Sequence, residues 1–146
     1  MTAIKAFVRW ILAASLVFTG LAHFVVADRF LPLVPSWIPW PEAVVAVTGV
    51  MEVVLAVALV LAPAGSRRRA TGWALAAFLT VVVAGNVTQA LSGADAFGLD
   101  TDAERWTRLA FQPLLIGLAL WSTEALRAPA HRAGGGGNAH PGPSRV

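Results

Sequence analysis

The stretch Glu42–Ala62 reads EAVVAVTGVMEVVLAVALVLA, twenty-one residues with one ionisable group between its first residue and its end. A helix needs roughly 20 mostly apolar residues to cross about 30 Å of hydrocarbon, and this stretch has that length. Its apolar residues run on without the period-two alternation of a barrel strand, so a helix is the spanning form it takes. Three further stretches read alike, at residues 6–26, 70–91 and 105–126. The expectation is an all-α, four-transmembrane-helix bundle over residues 1–127. The Gly/Pro-rich segment 128–146, with Gly134 to Gly137, reads as a disordered cytoplasmic tail.

Composition supports the membrane. The chain of 146 residues is 57% apolar and 13% charged. A soluble domain carries about 25% charged residues. The chain has no cysteine, which excludes disulfides, thiol redox chemistry and thiolate metal sites within it. The net charge of +3 is not a nucleic-acid signal, because the basic residues flank apolar runs.

Those flanking charges give an orientation. Lys5 and Arg9 open the first span, Arg67, Arg68 and Arg69 fill the link between the second and third, and Arg127, Arg132 and Arg145 follow the fourth. The other two loops carry Asp28, Arg29 and Glu42, then Asp95, Asp100, Asp102 and Glu104. Positive residues stay on the cytoplasmic side, so both termini are expected in the cytoplasm and the protein in the inner (plasma) membrane. A cleaved secretory signal ending near Val25-Val26-Ala27 is the alternative. Its apolar run is longer than the ~7–15 residues of a signal core.

The loop from Phe30 to Pro41 holds four of its prolines at Pro32, Pro35, Pro39 and Pro41, and prolines do not fit a helix interior. Pro35, Trp37, Pro39 and Trp40 are expected to form an extracytoplasmic interfacial anchor or a lid over a cavity.

The polar residues inside the spans are the candidate site: His23, Glu52, Asn86, Arg108 and Gln112, with Thr19, Thr48 and Gln89 secondary. A charge at the bilayer centre costs roughly 2.5–3.5 kcal/mol, and such residues face the protein interior. At about 1.5 Å of rise per residue, Glu52 lies ~15 Å deep, Gln112 ~10 Å and Asn86 ~8 Å from the outer boundary. Thr19 and His23, Thr48 and Glu52, Asn86 and Gln89, and Arg108 and Gln112 are three or four apart, so each pair shares a helix face. Four polar stripes converging in the outer half of the bundle would make a ligand or proton site, with Glu52 and Arg108 as an ion pair. The bland alternative is a polar clasp that only fixes helix packing. Gly20, Gly49, Gly72, Gly85 and Gly117 permit close helix approach. No metal site is indicated, since His131 and His140 lack ligand spacing.

Several ordered pieces carry a family resemblance: Gly20-Leu21-Ala22-His23-Phe24, Val34-Pro35-Ser36-Trp37-Ile38-Pro39, Thr48-Gly49-Val50-Met51-Glu52, Asn86, and Arg108-Leu109-Ala110-Phe111-Gln112. In these the chain resembles the DoxX family of small bacterial membrane proteins over about residues 10–126. Ala27, Ala84-Gly85 and Ala110 depart from the family's usual residues. The resemblance implies a four-helix membrane fold. It also implies an association with oxidoreductase or quinone-linked systems, since relatives include a subunit of a thiosulfate:quinone oxidoreductase. Fold alone does not carry function.

The leading expectation is a membrane subunit of a redox system that touches quinone. His23, Asn86, Arg108 and Gln112 would donate to carbonyl oxygens and Glu52 would relay protons. This chain alone is not expected to be a complete oxidoreductase, but a subunit of one: it has no cysteine, no dinucleotide fingerprint and one histidine inside its spans. A redox partner protein would carry the electrons, with the lipid bilayer and a second copy of the chain as further expected partners. The alternatives are a small-solute transporter, which needs an oligomer, a non-catalytic assembly or anchoring factor, and an enzyme acting on a lipid-soluble substrate by proton transfer.

Overall fold

The computed structural model describes residues 2–93 and 101–127. The sequence reading of the tail at 128–146, His131 and His140 included, lies outside the described residues, as do Asp95 and Asp100. Among the described residues there are helices and turns and no strand. Four long helices follow one another: α1 (Ala3–Val25), α2 (Pro41–Leu61), α3 (Ser66–Ser92) and α4 (Asp102–Ser122). Two 3₁₀ turns, Ala27–Arg29 and Leu31–Leu33, lead from α1 toward α2.

Local chemistry sets the ends. Pro41 takes the first helical position of α2, where its missing N–H costs nothing. Trp40 before it turns the chain with φ 55°. Pro63 lies just past the end of α2, and Gly65, at φ 107°, makes the turn into α3. Arg68 donates from Nε (3.3 Å) and Nη2 (3.2 Å) to the terminal carbonyl of Ala62. Gly93 closes α3 in the left-handed conformation, its N–H donating to Gln89 O at 3.1 Å. A reciprocal cap opens α4: Thr101 Oγ1 accepts from Glu104 N (3.3 Å), and Glu104 Oε2 accepts from Thr101 N (3.1 Å).

These ends revise three expected boundaries. Helix α3 starts at Ser66 rather than residue 70, so Arg67, Arg68 and Arg69 lie in its first turn, not in the link. Hydropathy finds the apolar part of a helix and misses a charged first turn that protrudes beyond it. Helix α4 starts at Asp102 and ends at Ser122, not 105 and 126. Its start follows the Thr101 cap. Its end follows Thr123, which turns its hydroxyl back on Ala119 O (2.7 Å), and Glu124, which takes φ 58°.

Helices α1, α2 and α3 are each long and apolar enough to cross a membrane. Helix α4 has the same length as α2, but Asp102, Glu104, Arg105 and Arg108 charge its first two turns. Large apolar side chains such as Phe7, Phe18, Val25, Leu61, Val81 and Leu91 face outward. That arrangement suits a lipid surround.

Helices α1 and α2 pack closely, as do α3 and α4, and the two pairs meet around a leucine-rich core. Leu12, Leu16, Leu55, Leu59, Leu75 and Leu79 are its largest members. One end of the molecule is basic. Lys5 Nζ lies 3.1 Å from Glu124 Oε1 and 5.5 Å above the Trp121 ring. Arg68, Arg69, Glu124 and Arg127 line one shallow depression there. The Lys5 hydrogen bond, helped by Arg127, holds the Glu124 carboxyl below the usual carboxylate range.

Candidate functional site

The site begins at a close helix crossing. A Cβ at Gly20 would lie 2.9 Å from Gly49 O, and one at Gly49 would lie 2.7 Å from His23 Cβ. Two bare backbones therefore meet where α1 crosses α2, one turn before His23 on α1 and one turn before Glu52 on α2. The crossing brings His23 Nδ1 to 3.6 Å from Glu52 Oε2. Both residues are buried. His23 Nδ1 is also 2.8 Å from Thr19 O, and a carbonyl only accepts, so Nδ1 carries a proton. The free edge of the ring is then Nε2. Phe30 stacks on that ring, centroids 3.7 Å apart. Glu52 Oε2 is buried with no hydrogen-bond partner among the described residues.

The second pair contributes from the other side. Arg108 Nη1 donates to Gln89 Oε1 at 3.3 Å, joining α4 to α3. Gln112, one turn along α4, is buried, and its Oε1 has no hydrogen-bond partner among the described residues. Pro113 follows it inside the helix. A proline there leaves the carbonyl of Leu109 without its helical donor.

A cavity of about 270 Å³ lies between the pairs. Thr19 and His23 of α1, Thr48 and Glu52 of α2, and Arg108 and Gln112 of α4 line it. Leu12, Leu16, Leu75, Leu79 and Leu115 also line it and belong to or pack on the apolar core. The expected polar stripes thus come together from three helices. The stripe of α3 does not. Its cavity face presents Leu75, Leu79 and Val82, while Gln89 is turned to α4 through Arg108. Asn86 is 2% exposed, and neither polar atom of its side chain has a hydrogen-bond partner among the described residues. Leaving such a group unsatisfied costs about 1–3 kcal/mol, which marks Asn86 as unusual.

The proline-rich loop forms the roof. Pro35, Trp37, Leu33 and Phe30 line a neighbouring cavity of about 250 Å³ that reaches His23 and Thr48. Gly85 of α3 receives the loop, since a Cβ there would lie 3.0 Å from Leu33 O. Trp37 and Trp40 are 79% and 77% exposed, and Pro39 is exposed too. Pro35 and Trp37 thus border a cavity while Pro39 and Trp40 point away from it.

Sequence reasoning missed three residues. Phe30, which the sequence marks only as the start of the proline-rich loop, is buried and stacks on the histidine. Arg105 and Arg9, taken as span boundaries, are both buried. Arg105 bonds to Asp102 at 2.8 Å, and that (i, i+3) spacing was visible in the sequence. Among the glycines, Gly72 abuts Thr123, whereas Gly117 has nothing within 4 Å and makes no close approach. Among the described residues no group of three or more His, Cys, Asp or Glu could hold a metal ion.

Comparison with known proteins adds one finding. No curated protein and no solved structure matches the chain. A family model described as Domain of unknown function (DUF8561) matches residues 12–123, a span that holds every residue of the cavity. The chain therefore belongs to the DUF8561 family.

Proposed function

We propose that the protein is a four-helix integral membrane protein of the DoxX type, a membrane subunit of a redox or quinone-linked system, with a polar ligand or proton site in the outer half of its bundle. In this reading α4 is the fourth span. Arg105 is buried and Arg108 donates to Gln89 of α3, while Asp102 and Glu104 are exposed at its start, which suits a helix that enters the bilayer from the outer interface. The basic end, with Lys5, Arg68, Arg69 and Arg127, faces the cytoplasm, so both termini lie inside and the Trp37/Trp40 loop lies outside. The order of motifs shared with DoxX proteins supports the same arrangement.

One observation carries the reading: His23, Glu52, Arg108 and Gln112 surround a single cavity, and Glu52 and Gln112 each have a buried oxygen with no hydrogen-bond partner among the described residues. Packing four short helices does not require a histidine, a glutamate and an arginine around one hollow. A quinone ring offers two carbonyl acceptors. Arg108 has donors in a planar fork and Gln112 has amide donors for them. The His23–Glu52 pair holds and passes a proton at the carboxylate and at Nε2. The chain itself carries no electron-transfer group, so a partner protein delivers the electrons. Purified protein in nanodiscs, titrated with menaquinone or ubiquinone, tests this. Saturable binding that weakens in Glu52→Gln and Arg108→Met is expected. No binding by the wild type, together with unchanged quinone-linked respiration in a Glu52→Gln strain, would sink it.

A further inference from the structure

We infer that the ligand reaches the cavity sideways from the bilayer, through a cleft between α1 and α4, and is an amphiphile whose hydrogen-bond-accepting oxygen head meets Arg108 while its apolar tail stays in the cleft. The inference rests on the function proposed above and deepens it.

Helices α1 and α4 are clasped at the basic end, where Lys5 meets Glu124 and Trp121. Toward the other end they part. A hollow of about 620 Å³ opens between them, bounded by Phe18 and Ala22 on α1 and by Ala103, Thr107 and Phe111 on α4. Thr19, Phe30, Arg108 and Phe111 line both this hollow and the inner cavity, so the two are neighbours that share these side chains, and Arg108 borders both. The hollow's outward lips are apolar at Phe18, 76% exposed, and Phe111, 54% exposed, while Glu104 borders the α4 rim with its Oε2 held by Thr101.

The loop end is roofed, and the hollow of about 250 Å³ beneath that roof is itself walled almost wholly by apolar side chains. Phe30 stacks over His23, and Leu33 seats on Gly85 at the loop end. Leu12, Leu16 and Leu79 close the floor. A water-borne solute therefore meets apolar walls under the loop and a leucine floor at the far end, while a molecule already dissolved in lipid meets a hollow that borders Arg108. The hollow's walls suit an alkyl or isoprenoid chain. Its inner end presents Arg108, a guanidinium with five N–H donors, which selects an oxygen acceptor. A quinone carbonyl and a lipid carboxylate share that chemistry.

The experiment uses the full chain in nanodiscs and isothermal titration calorimetry. The probes are decylubiquinone and its tail-less dimethoxy-methyl-benzoquinone ring for the first source, and oleate and acetate for the second. Ala22→Trp fills the cleft from α1, and Ala103→Trp fills it from α4 should the first variant fold poorly. Leu21→Trp, on the α1–α2 face, is the control. Weakening of the tailed probe by about tenfold or more in the cleft variants alone, with the tail-less ring or acetate still bound, supports the inference. The tailed probe that binds the wild type identifies the source. Unchanged binding of tailed probes in both cleft variants overturns the lateral route and leaves the proposed site standing. A wild type that binds the tail-less ring but neither tailed probe overturns it likewise. A wild type that binds none of the four overturns both.

Discussion

Adding one methyl group at Gly49 should loosen the whole site. The new Cβ would lie 2.7 Å from His23 Cβ, 2.8 Å from Gly20 O and 3.0 Å from Phe24 Cε2. Carbon contacts are comfortable at about 3.5–4.0 Å, so α1 and α2 must separate by roughly 1 Å at their crossing. Overpacking of this kind costs about 1–3 kcal/mol. Replacing a mid-helix glycine by alanine returns about 0.5–1 kcal/mol. Gly49→Ala is therefore expected to destabilise by about 0.5–2 kcal/mol, by difference of these terms. The same change at Gly117 meets nothing within 4 Å, so only the helix term remains and Gly117→Ala should stabilise by about 0.5–1 kcal/mol. Gly20→Ala strikes the same contact from the other helix, since its Cβ would lie 2.9 Å from Gly49 O. The Gly20→Ala/Gly49→Ala double variant should thus cost at least about 0.5 kcal/mol less than the sum of the singles, one separation serving both methyls. Reversible unfolding in mixed micelles, by titration with a denaturing detergent, measures all four. A Gly49→Ala protein as stable as wild type, or a Gly117→Ala protein destabilised to the same degree as Gly49→Ala, would refute the close crossing that sets His23 beside Glu52.

Three other outcomes follow from single contacts. Thr101→Ala removes the acceptor for Glu104 N and should cost about 1 kcal/mol in the same unfolding assay. Arg108→Met removes the hydrogen bond to Gln89 Oε1 that joins α4 to α3 and should cost about 1–3 kcal/mol, while Arg108→Lys costs less of the fold but still weakens ligand binding, because an ammonium lacks the planar fork. Glu124 is held below its ordinary range by Lys5, so its contribution is complete above about pH 4.5 and fades as the pH falls below it, the unfolded chain taking the proton first; unfolding midpoints measured across that range should drop on acidification in wild type and less so in Glu124→Gln.

The apolar spans were legible because their signal is summed over twenty residues, and no single misread position changes it. Their ends were less so, since an end is fixed by one or two residues. The Thr101–Glu104 cap and the αL turn at Glu124 are local geometries that hydropathy does not register. Spacing placed His23, Glu52, Arg108 and Gln112 on faces that do share a cavity. The same spacing argument failed to say where the α3 stripe points. Asn86 and Gln89 share a face, but a face has a direction only once its neighbour is known, and the close partner of α3 is α4. Phe30 was illegible for a related reason. Nothing about an aromatic in a proline-rich loop says that it will fold back onto a histidine one turn from the end of α1.

The most direct test of the central claim is photolabelling of the wild-type protein in nanodiscs with an azido-quinone, followed by peptide mapping of the attached adducts. Adducts on residues 12–23 of α1 and 108–115 of α4, suppressed by unlabelled decylubiquinone and reduced in Arg108→Met, are the predicted result. Adducts spread over the outward faces of α1 and α2, around Trp10, Val57 and Leu61, and indifferent to competitor would contradict it.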